Sequence, residues 1–174
     1  MLPLLTPILA HHAVAEPVAP SVVAARAYLG RPYGWAGRGQ ELDCMGLVFR
    51  AWSDATGKPW RSLSVKPTTI VTKRQLGAPV PGLDGVLTSA IPWELLRSGD
   101  VIFFLGTGEN PNEPSLVTLA DTPLWVWHMG LYAGGPERTF VVGDHYEGRV
   151  SELSLPEYLQ AHSDAYVGIF VVRP

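Results

Sequence analysis

The chain has 174 residues, 47% of them hydrophobic and 17% charged. That composition suits one packed domain able to bury about 70% of its unfolded-chain surface, and it excludes a disordered chain. A net charge of −3 offers no basic field for nucleic acid, and no apolar run approaches the roughly 20 residues of a membrane span.

Residues 1–20 read as an extension ahead of a single domain over residues 21–174. Met1 to Ala10 is apolar, and Ala13-Val14-Ala15 resembles a signal-peptidase site. No Lys or Arg precedes Arg26, however, and Pro3 and Pro7 interrupt the apolar stretch, so any leader is weak. His11-His12 reads as a solvated pair rather than a metal site. Ser21 to Leu29 then predicts a helix capped by Ser21 and stopped by Gly30.

The only cysteine, Cys44, follows a Gly-rich turn and Asp43. Cys44, Leu47, Val48, Ala51, Trp52 and Ala55 keep the i, i+3, i+4 spacing of an amphipathic helix, with Asp43 as N-cap and Gly57 as stop. A lone thiol makes no internal disulfide and a poor zinc site. At a helix start, unpaired backbone N–H groups favour the thiolate, which marks Cys44 as a candidate nucleophile.

From Gly57 to Pro92 regular periodicity is poor, with Pro59, Pro67, Pro79, Pro81 and Pro92 as breaks. Asp100 to Leu105 predicts a strand, its Asp bonding to backbone at the preceding turn. Gly106 to Pro123 predicts a long loop of the kind that flanks binding clefts. Trp125 to Tyr132 reads as a strand containing His128, broken by Ala133-Gly134-Gly135-Pro136. A return strand spans Arg138 to Gly143, with Asp144 and His145 at its end. An even hairpin loop centred on Gly135-Pro136 pairs His128 with Gly143 and puts His145 on its face. A shift of one residue brings Asp144 opposite His128 instead. His145 is the preferred partner. A short helix near Leu155 to Gln160 and a strand from Tyr166 to Val172 follow. Helices first and antiparallel strands after predict an α+β fold, N-terminal helices packed on an antiparallel sheet, without repeats or a second domain.

Cys44, His128 and a polar group beside that histidine are the parts of a Cys–His–polar nucleophilic site. Tyr33-Gly34-Trp35-Ala36-Gly37, Asp43-Cys44-Met45-Gly46-Leu47-Val48, Leu96-Arg97-Ser98-Gly99-Asp100-Val101-Ile102-Phe103-Phe104 and His128-Met129-Gly130-Leu131-Tyr132-Ala133-Gly134 occur in this order. Together they resemble the NlpC/P60 family, papain-like cysteine peptidases of bacterial cell-wall peptides. The resemblance covers residues 21 to 172. It implies Cys44 as nucleophile, His128 as base, Tyr33 at the oxyanion and His145 as the orienting residue. It also implies a peptidoglycan stem-peptide substrate, cut between D-glutamate and a diamino acid, with no metal or organic cofactor.

Three departures stand out. Met45 replaces the family's serine. Ala36 replaces a glycine, which is tolerable at a negative φ. The intervals from Cys44 to His128 and on to the third residue are long. Action on the wall implies a periplasmic, secreted or delivered protein, and a wall hydrolase calls for restraint such as an inhibitory partner, which the sequence does not identify. The alternatives are a papain-like amidase, acyltransferase or deamidase on a non-wall substrate, a non-catalytic binding module, and, least favoured, a metal protein using Cys44, His128 and His145.

Overall fold

The computed structural model describes residues 17–174. The leader-like stretch and the His11-His12 pair lie outside the described residues. The architecture is α+β: among the described residues there are four α-helices and seven strands, all paired antiparallel. In chain order these are α1 (Pro20–Arg26), α2 (Cys44–Thr56), α3 (Pro67–Thr72), β1 (Ala78–Leu87), β2 (Val101–Gly106), β3 (Val117–Leu119), β4 (Thr122–Gly134), β5 (Thr139–Asp144), β6 (Arg149–Ser154), α4 (Leu155–Ala161) and β7 (Gly168–Arg173). The sheet runs β1-β7-β2-β4-β5-β6, with β3 paired to β4 beside that path.

β2 lies inside the sheet, and all six of its residues are buried. Its period-2 alternation sends Val101, Phe103 and Leu105 into one core, and Ile102 and Phe104 into the other. The first core lies under α1 and α2, through Val22, Ala25, Leu47, Val48 and Ala51. The second lies under α4, through Leu155, Tyr158 and Leu159. Asp100, fully buried at the head of β2, accepts the Arg97 N–H at 2.9 Å and holds Arg173 at the end of β7 through two contacts of 2.7 and 2.8 Å.

α2 follows its sequence signals. The Asp43 carboxylate accepts the Gly46 N–H, and Gly57 closes the helix in the left-handed region at φ 71°. α1 does not: it begins at Pro20, its N-cap Ala19 has no side-chain bond, and it ends three residues short of the predicted Leu29. Pro at the first helical position replaces the Ser21 cap.

Four elements escaped the periodicity, α3 among them, its first turn set by Pro67. β1 contains Pro79, Pro81, Gly82 and Gly85, yet it is an edge strand, paired to β7 with register shifts, where missing N–H groups are tolerated. β3 lies within the predicted loop of residues 106–123, and β6 was not foreseen. Ala36 is also corrected: its φ is +57°, not negative, in a turn closed by Gly37 N–H to Gly34 O at 2.8 Å. This is a position that glycine or asparagine occupies with less strain.

The two glycines that seat α2 act by close approach. A β-carbon at Gly46 would lie 2.0 Å from the Gly37 carbonyl oxygen, so the 33–39 turn presses on the first turn of α2. A β-carbon at Gly143 would lie 2.7 Å from the Asp43 carbonyl oxygen, so β5 abuts the residue before Cys44. Gly143→Ala is therefore expected to lower stability by about 1–3 kcal/mol in denaturant titration. Gly39→Ala, which meets no atom within 4 Å, is expected to change it by less than about 0.5 kcal/mol.

Candidate active site

A cleft of about 660 Å³ opens where the start of α2 meets β4. Cys44, His128, Tyr33 and His145 all line it. Cys44 is the first residue of α2 and is half-buried where the two cores meet. The backbone groups of Met129 and Met45 lie near enough to its sulfur to favour thiolate. Met129 directly follows His128, so the sulfur sits beside the histidine strand.

Electrostatics around the thiol oppose one another. Burial is the largest effect and Asp43 the next, and together they push Cys44 up to about 12, against the two backbone groups and Arg38. The Asp43 charge is shared: its Oδ1 accepts both the Gly46 N–H at 2.6 Å and Arg38 Nη1. A helix start alone favours thiolate; here desolvation outweighs it.

His128 is 5% exposed, in an aromatic enclosure of Phe104, Tyr158 and Tyr166, whose ring centroids lie 5.6, 6.0 and 6.0 Å from its own. Burial lowers its pKa to about 4, opposed by Asp144 and reinforced by His145 and His162. Among the described residues its Nε2 is buried without a hydrogen-bond partner. Asp144 Oδ1 stands 3.8 Å from it, beyond hydrogen-bond range.

The hairpin register decides which residue faces the histidine. Leu131 pairs with Val141 and Tyr132 with Phe140. Continued toward the cleft, that register sets His128 opposite Asp144, one residue away from the predicted alignment with Gly143. The four-residue loop between paired Gly134 and Thr139 is even but centred on Pro136-Glu137, and a register shift between Tyr132 and Gly134 then moves the remaining pairs by one residue. The partner facing His128 is thus Asp144, 1% exposed, rather than His145. His145 lies past the end of β5, exposed, its ring 3.7 Å from that of Tyr146.

Tyr33 is placed by chain pairing along β6. Its N–H reaches Gly148 O at 2.9 Å, and Pro32 bridges to Arg149. Its phenol pKa is raised, first by burial and then by Cys44, which puts it in the field of the sulfur. The 106–123 segment flanks the cleft, as its length and position predict. Trp127 Nε1 donates to Gly108 O at 2.9 Å, and Glu113 accepts the N–H and hydroxyl of Thr68 at 3.0 and 2.7 Å. Trp35, 87% exposed, and Trp127, 47% exposed, form the rim. Arg38, Tyr158 and Tyr166 were not singled out from the sequence, and nothing in their spacing marks them. Among the described residues no group of three or more His, Cys, Asp or Glu side chains is placed to hold a metal, and no helix is long and apolar enough to cross a membrane.

Solved structures with the same architecture carry names that bear on this geometry. The chain is similar to the NlpC/P60 domain of the peptidoglycan hydrolase SagA, with a TM-score of 0.51 and 17% identity over 89% of this chain and 97% of that one. The fold is the NlpC/P60 fold. An N-acetylmuramoyl-L-alanine amidase from Bacteroides uniformis ATCC 8492 gives a TM-score of 0.63 at 14% identity, covering 88% of this chain and 97% of that one. An NlpC/P60 family protein from Bacillus cereus ATCC 10987 gives 0.50 at 21% identity, over 91% of this chain and 40% of that one. No family model matches the chain, and no curated protein matches it in sequence.

The burial of His128 generates a pH prediction. Its ordinary value is 6.5 and its folded value about 4, so between those values the unfolded chain binds the extra proton. Stability from this group is complete above pH 6.5 and falls as pH drops toward 4, by up to about 3 kcal/mol. Thermal melts across that range should show His128→Gln with a shallower acid loss than the wild type.

Proposed function

We propose that residues 21–174 form one catalytic domain, a cysteine peptidase or amidase of NlpC/P60 type that hydrolyses an amide bond in peptidoglycan peptides. The observation that carries this reading is that a helix-start thiol, Cys44, and a buried histidine, His128, line one cleft. The names of the fold's neighbours, a peptidoglycan hydrolase and an N-acetylmuramoyl-L-alanine amidase, support the substrate class.

In the free enzyme the thiol sits far above neutrality and the imidazole far below it, so both are uncharged at pH 7. Asp144, a carboxylate that only accepts, favours the tautomer with the proton on Nε2 of His128 and leaves Nδ1 to take the thiol proton. Proton transfer accompanies attack of Cys44 on the substrate carbonyl. The tetrahedral oxyanion lies toward Tyr33 and the Cys44 backbone N–H. His128 then protonates the departing amine, leaving a thioester, and water activated by the same histidine releases the acid. The favoured bond joins D-glutamate to the following diamino acid. The bond between the muramoyl group and L-alanine is a second reading, favoured by the Bacteroides uniformis neighbour.

Purified peptidoglycan and soluble muropeptides, digested and read by mass spectrometry, test the proposal. New termini at a stem-peptide amide are expected, with the rate falling at least about a thousandfold in Cys44→Ala. Product masses separate the two bonds. Intact substrate with the wild type would overturn the reading.

A further inference from the structure

Asp144 is held from three directions. Its Oδ2 accepts the Glu147 N–H at 3.0 Å, its Oδ1 accepts the Tyr158 hydroxyl at 3.1 Å, and the same Oδ1 faces His128 Nε2 at 3.8 Å. The Tyr158 phenol has one proton, and the carboxylate takes it. Tyr166 lines the cleft and lies nearly parallel to the His128 ring at 11°. The Tyr158 hydroxyl therefore occupies the oxygen that His128 needs.

We propose that Tyr158 is a positioning residue for His128, its hydroxyl competing with Nε2 for Asp144 Oδ1 and so setting how strongly the carboxylate holds the imidazole. The geometry supplies the reason. A buried carboxylate oxygen that already accepts a phenol proton has less charge to offer a second donor. Nothing else among the described residues satisfies Nε2. This inference rests on reading Cys44 and His128 as the reacting pair.

The other groups facing His128 come from each element packed around it. They are Asp43 before α2, His145 in the β5–β6 turn, His162 after α4 and Tyr166 before β7. None of them contacts Asp144 Oδ1 in place of Tyr158, so the phenol can be removed without replacing it.

NMR titration of the histidine ring signals, assigned by loss of one signal in His128→Gln, tests the proposal without a substrate. Tyr158→Phe frees Oδ1, so the His128 inflection should move to higher pH by about 0.5–1 unit. Asp144→Asn should leave it at or below the wild-type position. A His128 inflection unmoved by the loss of the phenol would overturn the proposal, as would movement to lower pH. Should Tyr158→Phe fail to fold, Tyr158→Leu decides by the same reading. A wild type that leaves peptidoglycan intact while the inflection still moves would overturn the catalytic reading and keep the positioning role.

Discussion

The site depends on how the first turn of α2 is seated against the sheet. Asp43 abuts β5 at Gly143, the 33–39 turn presses on Gly46, and the Cys44 sulfur sits beside the Met129 backbone. Each contact is to backbone, so the thiol's position is defined by the fold rather than by adaptable side chains. Any side chain at Gly143 or Gly46 would wedge the helix away from the strands that carry His128 and Asp144. The same packing dries the site, and that dryness governs its chemistry.

A helix start stabilises negative charge by a fraction of a unit charge at its N–H groups, whereas removing a thiolate from water costs several kcal/mol before any partner is counted. In this site the second effect wins, and Cys44 rises to about 12 while His128 falls to about 4. The site holds a neutral thiol and a neutral imidazole. That arrangement protects the thiol from adventitious reaction, because the thiolate is the reactive form. The Asp144 carboxylate beside Nε2 is the main influence raising the histidine against its burial.

Much of this was legible in the sequence. Asp43 and Gly57 bracket α2 because capping chemistry is local, and a lone cysteine at such a start stands out without any tertiary information. The aromatic run around His128 reads as a strand for the same reason. The choice between Asp144 and His145 was not legible in this way. It turns on one residue of register, and the register shift at Gly134 that sets it is a property of how the hairpin closes. β1 was hidden by its own prolines, which an edge strand accepts and a central strand does not. Ala36 adopts a left-handed conformation that its residue type does not announce. Tyr158 and Tyr166 lie on α4 and before β7, far along the chain from His128, and only the packing of the second core brings their rings together around it.

The central claim is that Cys44 and His128 react as one unit. Rates of Cys44 alkylation by iodoacetamide at pH 7, compared between the wild type and His128→Gln, test it most directly and need no substrate. The account predicts that losing the proton acceptor slows the reaction by about tenfold or more. Equal rates in the two proteins would show a thiol indifferent to its histidine and would contradict the account.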